Sequence, residues 1–290
     1  MMGARPRNGW HWLEWTAELV GTALLMFPVI TAWTAAVALG WSTWARIPLV
    51  AAVAGAAVIA VALSPLGRRS GAHLNPAVTL GLWLQRVMSH ADLAGYTTAQ
   101  FFGALLGFSA GRMWGPSVAG PAVHWAGIAP GPSVPTAAAL VLEAAATAAQ
   151  LAVVFLLLTS ERWHGLTAVA AGILLTIGIV ALATTSGAGF SPVRGLAPDL
   201  LRRAFPGLWV YLTAPLVGAA VAALAAANRG RRPLTGKLRH DPAVPCVMRC
   251  ALPHAPAPDS PPPLEPVAST KVVCDGPGEQ RALHVKAATA

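Results

Sequence analysis

Apolar residues in this chain gather into runs of about 20, separated by short stretches rich in Pro, Gly and Arg. At 1.5 Å per residue such a run spans the hydrocarbon of a bilayer, so each predicts a membrane-crossing helix. The pattern predicts six, over 14–37, 47–66, 94–114, 136–158, 165–183 and 206–227. Two further segments, 76–85 and 192–201, are too short to cross. Each directly follows a crossing run through glycine-rich backbone: Ser70-Gly71-Ala72-His73-Leu74 before one, Ser186-Gly187-Ala188-Gly189-Phe190 before the other. A small polar residue then stands at the N-cap (Asn75, Ser191) and proline at the first helical position (Pro76, Pro192), which is how a short helix begins. Irregular backbone at membrane depth survives only where protein or a water-filled cavity satisfies its polar groups. The two segments therefore predict re-entrant half-helices lining one pore.

The order is repeated. Glu18-Leu19-Val20-Gly21-Thr22 in the first run and Glu143-Ala144-Ala145-Ala146-Thr147 in the fourth share a Glu-x-x-x-Thr spacing, each followed by a crossing, a half-helix and another crossing. Three crossings per half is odd, so the second half inserts with opposite orientation. The result is an inverted repeat whose half-helices enter from opposite faces and meet near the midplane. A carboxylate in an apolar helix costs about 2.5–3.5 kcal/mol at mid-bilayer unless it is partnered. Backbone N–H groups of the re-entrant loops are the partners expected for Glu18 and Glu143, the alternative for Glu18 being a place close enough to the helix end to reach water. Gln100, a lone amide in the third crossing, reads as a link between helices rather than a solute contact.

Composition agrees with an all-α membrane protein. The 290 residues are 55% apolar and 11% charged, against roughly 25% charged in soluble domains. The first run lacks a small-residue cleavage site and reads as a retained span. The net charge of +9 lies in loops and a polar tail, where it orients a membrane protein rather than binding nucleic acid. In this topology Arg5, Arg7, Arg68, Arg69, Arg86, Arg162, Arg229, Arg231 and Arg232 fall inside and Arg46, Arg112, Arg202 and Arg203 outside. That places both termini in the cytoplasm of a multi-pass cell-membrane protein. Three regions follow: a basic, Trp-bearing segment 1–13, a channel domain 14–227 built of repeats 14–114 and 136–227, and a Pro/Ala-rich basic tail 228–290 expected to be disordered. All three cysteines, Cys246, Cys250 and Cys274, lie in that tail. Without a His/Cys pair at zinc spacing they read as free thiols, and no metal site or cofactor is expected. The crossings hold no paired carboxylates, Cys/His dyad or metal-ligand cluster, which argues against an enzyme and against a coupled transporter.

The two loops and their half-helices resemble the major intrinsic protein family, the aquaporins and glycerol facilitators. Gly71-Ala72-His73-Leu74-Asn75-Pro76-Ala77-Val78-Thr79 is similar to the family's first Asn-Pro-Ala box in full. The stretch from Ser186 to Arg194 is similar to the second box with its arginine, except that Ser191-Pro192-Val193 replaces the second Asn-Pro-Ala. Glu18, Gln100, Glu143 and Pro215-Leu216-Val217-Gly218 fall where the family has matching residues, and the resemblance covers about 14–227. It implies a pore centre of Asn75, Pro76, Ala77, Ser191, Pro192 and Val193, the serine still capping its helix and donating. Arg194 becomes the filter arginine rather than one snorkelling to the interface, and counting without gaps from the boxes puts Gly55, Ile179 and Ala188 at the other filter positions. Backbone carbonyls of Gly71, Ala72, His73, Gly187, Ala188 and Gly189 would line the path. His73 is left as a loop brace or a proton shuttle. A homotetramer with one pore per subunit is the family's assembly.

With neither an aromatic residue nor a histidine at the first two filter positions, the implied filter is wide and apolar. It suits water together with small uncharged solutes of the glycerol or urea type, while two half-helix N-termini hold back cations and protons. A strictly water-selective channel is the alternative within the class, and a non-conducting membrane scaffold acting through its tail is the alternative outside it.

Overall fold

A computed structural model describes residues 9–254. Its regular structure is helical: α1 Trp12–Ala38, α2 Thr43–Leu63, α3 Pro65–Ser70, α4 Pro76–Leu84, α5 His90–Ala110, α6 Thr136–Leu158, α7 Thr167–Leu182, α8 Pro192–Arg202 and α9 Leu208–Asn228, with short 3₁₀ turns between. By length and composition α1, α2, α6, α7 with its preceding turn, and α9 can each cross a membrane. The 21-residue α5 has the length, and Asp92, Thr97, Thr98 and Gln100 lower its hydropathy.

The two halves pack alike. α1 lies against α5 as α6 lies against α9, while α2 and α7 meet between the halves. Gly103 and Gly218 let the first two pairs close: a Cβ there would stand 2.3 Å from the Leu19 and Ala144 carbonyl oxygens respectively. Large apolar side chains such as Phe102, Leu156, Ile177 and Leu224 are exposed, as lipid-facing positions require. The second crossing ends at Leu63, earlier than its hydropathy suggests. Ser64 starts the separate short α3 there, accepting from Gly67 N–H with Pro65 at the first position.

The tail departs from expectation. Its Pro/Ala-rich composition and lack of periodicity predict disorder from residue 228, yet Pro233, Thr235, Lys237, Leu238, Val247, Met248, Cys250 and Leu252 are buried. The stretch is stitched to the bundle: Leu234 N–H donates to Leu158 O (2.8 Å), Leu238 N–H to Gly71 O (3.0 Å) and Arg249 N–H to Val87 O (2.8 Å). Individual apolar side chains filling local recesses leave no repeating signal for a sequence to display. The expectations for residues 1–8 and 255–290 lie outside the described residues.

Candidate functional site: a pore between two re-entrant loops

Each loop is built around a buried carboxylate. Glu18 accepts from the Ser70 hydroxyl (2.7 Å), His73 N–H (3.0 Å), Leu74 N–H (2.7 Å) and Gln100 Nε2 (2.7 Å). Glu143 accepts from the Ser186 hydroxyl (2.7 Å), Gly189 N–H (2.9 Å) and Phe190 N–H (2.8 Å). The backbones match: φ is 99° and 94° at Gly71 and Gly187, 54° and 51° at Ala72 and Ala188, and 53° and 52° at Leu74 and Phe190. Left-handed non-glycine residues cost about 1–3 kcal/mol each unless their surroundings enforce them. Here the carboxylate does so, by collecting N–H groups that would otherwise be buried without partners. The carbonyls of Ala72, His73, Ala188 and Gly189 accept no hydrogen bond among the described residues, so they are available to whatever fills the space between the loops.

Tyr96 OH donates to Ser70 O (2.7 Å) and Tyr211 OH to Ser186 O (2.6 Å). Sequence reasoning passed over these braces. The usable signal is that the chain has two tyrosines and they occupy the same place in each half.

At the centre Asn75 Oδ1 accepts from Ala77 N–H (2.8 Å), capping α4, and Nδ2 donates to Phe190 O (2.8 Å) in the other loop. Ser191 holds the equivalent N-cap position but its hydroxyl makes no cap bond; buried, it has no partner among the described residues. The capping expected of it is therefore not realised.

A cavity of about 490 Å³ runs past both loops, lined by Asn75, Ser191, Ile179, Ala188 and Arg194 along with mainly aliphatic side chains. Arg194 Nη2 donates to Ala126 O (2.8 Å) and its guanidinium lies 5.3 Å from the Phe108 ring centroid. Ala126 reaches it from the 115–135 connection through left-handed His124, Trp125 and Ala126. Arg194 Nη1 has no partner among the described residues. Gln150 and Trp33 also line the cavity with unpartnered Nε atoms; sequence reading missed both, though an amide in an apolar run carries the same signal that marked Gln100.

The sequence model of the major intrinsic protein covers residues 7–226, the span that holds both loops. The chain belongs to the major intrinsic protein family. It is 32% identical to the lens fiber major intrinsic protein of Gallus gallus over 75% of this chain and 81% of that one. It is 32% identical to the probable aquaporin NIP7-1 of Arabidopsis thaliana, over 72% of this chain and 73% of that one. The glycerol uptake facilitator protein-like 6 of Lactiplantibacillus plantarum is 30% identical, over 75% and 98%. In fold it is similar to the X-ray structure of the aquaglyceroporin from Plasmodium falciparum, with TM-score 0.66, 23% identity, and coverage of 74% of this chain and 95% of that one. As a major intrinsic protein it is a membrane channel for water and small solutes.

Several positions expected to face this channel do not line the cavity: Gly71, whose carbonyl accepts from Leu238 N–H, then Ala72, Pro76, Ala77, Pro192 and Val193, and Gly55. A Cβ on Gly55 would stand 2.1 Å from Thr176 Oγ1 and 2.5 Å from Gly172 O, so Gly55 sits where α2 crosses α7. The α2 residues that line the cavity are Thr43, Ile47, Val50, Ala54 and Val58. Counting back from the loop fixes a residue number but not the rotation of the helix about its axis.

His73 is tied on both sides: Nδ1 lies 3.2 Å from Thr79 Oγ1 and Nε2 donates to Gly236 O (2.8 Å). Leu238, two residues on, lines the channel cavity itself. Further along the same tail, ligand atoms of His240, Cys246 and Cys250 all lie within 4.8 Å of one another. Hydrogen bonding from Cys246, and then from His240, holds the Cys250 thiol well below the ordinary thiol range.

Proposed function

We propose that the protein is a passive channel passing water and small uncharged solutes of the glycerol or urea type while excluding ions and protons. The reading is carried by the cavity that joins both loops. Its walls are largely aliphatic, and a single guanidinium among the described residues, Arg194, lines it together with Ile179 and Ala188. Asn75 and Ser191 line it as the pore centre, with Pro76 and Ala77, and Pro192 and Val193, opening the half-helices behind them. There the N-termini of α4 and α8 each place roughly half a positive charge, which opposes cations and leaves neutral solutes unaffected. Ser191 and Arg194 line the cavity and carry a buried hydroxyl and Nη1 with no partner among the described residues; small side-chain rotations would turn these donors to a passing oxygen. The unbonded loop carbonyls supply acceptors, so a polyol or urea exchanges water for a ladder of protein groups along an apolar wall. His73, held on both ring nitrogens, serves as a brace.

The same reading places the Arg68, Arg69 and Arg86 face in the cytoplasm, in keeping with the excess of positive charge there. Both chain ends lie on that face of the cell membrane, and the working assembly is a homotetramer. The test is reconstitution in vesicles followed by light scattering under sorbitol, glycerol and urea gradients with a proton-leak dye. Shrinkage in sorbitol and faster re-swelling in glycerol or urea, without proton leak, is expected. Shrinkage alone would make the pore strictly water-selective, and folded protein that behaves like empty vesicles would return the scaffold.

A further inference from the structure

The tail gathers a second cluster of chemistry-bearing side chains. His240, Cys246 and Cys250, which the sequence alone reads without a zinc spacing, converge in a fifteen-residue turn that runs on to His254. The Cys250 sulfur lies 3.7 Å from His240 Nδ1. Tetrahedral zinc, with bonds of about 2.3 Å to sulfur and 2.0–2.1 Å to nitrogen, sets its ligands about 3.3–3.8 Å apart. The remaining spread, within 4.8 Å, closes with small side-chain rotations. The ring is also prepared for the role. Nε2 of His240 donates to Pro253 O at 2.9 Å, which leaves Nδ1 as the lone-pair nitrogen aimed at Cys250. A carbonyl fixing the tautomer of a ligating histidine is the usual outer support of a metal site. The His254 ring stands edge-on to that of His240 with centroids 5.0 Å apart; it lies outside the three-residue cluster and would join it by side-chain rotation.

This turn is fastened to the pore. Ala251 N–H donates to Leu234 O (2.7 Å), and buried Lys237 Nζ donates to Pro245 O (3.2 Å) and Arg68 O (2.7 Å). The two arms of the tail are thereby clamped beside α3. Between them Gly236 accepts from His73, and Leu238, bonded to Gly71 O, enters the cavity lining. Whatever holds residues 240–250 in this turn also holds Leu238 in the cavity wall.

We propose that His240, Cys246 and Cys250, with His254 as fourth ligand, bind a zinc-class divalent cation, and that its occupancy locks residues 234–252 across the pore mouth and closes the channel. Two thiolates and imidazole nitrogens are the soft donor set that selects zinc over calcium or magnesium. The closing half of the proposal rests on the channel reading above; the binding half does not.

The experiment uses the full chain, reduced and free of any affinity tag, in detergent, with Co²⁺ as the probe. About one cobalt per chain, with thiolate-to-cobalt charge-transfer bands and strong tetrahedral d–d bands, is expected. The bands vanish in Cys246→Ser/Cys250→Ser and weaken in His240→Ala, the helical circular dichroism being unchanged. Folded, reduced wild-type protein that gives no such bands overturns the site, as does a Cys246–Cys250 disulfide that resists reduction in the folded protein. For closure, protein loaded with Zn²⁺ before reconstitution is compared with chelator-treated protein. Loaded wild type should fall toward empty vesicles in water flux and recover with chelator, and the double serine variant should stay open in both. Equal flux in both states, with the cobalt bands present, overturns closure alone. No flux in either state overturns the channel reading and closure together, while the cobalt spectrum still decides the site.

Discussion

Asn75 reaches across the centre of the pore to the other loop, its Nδ2 donating to the carbonyl of Phe190 at 2.8 Å, and Ser191 returns no such bond. The two half-helices are thus joined by one side-chain link where the repeat provides places for two. Ser191→Asn should add both the missing cap on α8 and a second crossing donor. A new cap bond is worth about 0.5–2 kcal/mol, so thermal unfolding in detergent should move upward. The added bulk at the centre should lower glycerol flux relative to water flux, as read by light scattering on the same vesicles.

Glu143 satisfies a hydroxyl and two buried backbone N–H groups at once. Each buried donor left unpaired costs about 1–3 kcal/mol. Glu143→Ala should therefore destabilise the folded protein by more than about 3 kcal/mol, seen as loss of monodisperse protein on gel filtration. Glu143→Gln keeps one acceptor oxygen but turns an amide NH₂ toward a backbone donor, and should fall between the two.

Much of this arrangement is legible in the sequence because chemistry and chain direction coincide there. Glycine, a polar cap and proline in succession mark where a crossing ends and a half-helix begins, and Glu18 and Glu143 mark what must hold the loops. What escapes is set by rotation and by long-range contact. Counting puts Gly55 in the filter while it packs into the α2–α7 crossing, and Ser191 stands at the N-cap without the bond. Tyr96 and Tyr211 carry no local motif, and the folded part of the tail rests on contacts such as Lys237 to Arg68 O that no periodicity announces. His240, Cys246 and Cys250 come together only through the turn that Pro242 and Pro245 help to shape.

Among the described residues Arg194 is the one Lys or Arg that lines the cavity. A buried guanidinium raises the barrier to a passing cation, and a change of about 1.4 kcal/mol in that barrier alters flux tenfold. Arg194→Ala should raise monovalent cation or proton leak by about tenfold or more and widen the solute range, measured by dye-reported leak and by re-swelling in larger polyols. An unchanged leak would remove Arg194 from the filter.

Gly55→Ala separates packing from selectivity. The new methyl would overlap Thr176 Oγ1 and the Gly172 carbonyl across the α2–α7 crossing, and Thr176 is itself fixed by donating to Ala51 O at 3.1 Å. Overpacking of this kind costs about 1–3 kcal/mol, so the variant should unfold at lower temperature while its ratio of glycerol to water flux stays that of the parent. A filter residue would behave in the opposite way, since a methyl added to a pore wall narrows the path and leaves the helix crossing untouched. Thermal unfolding and the flux ratio, measured on one preparation, therefore distinguish a residue that holds α2 to α7 from one that touches solute. Ala54, one residue earlier and lining the cavity, provides the contrast. Ala54→Val should shift the flux ratio toward water with the smaller loss of stability.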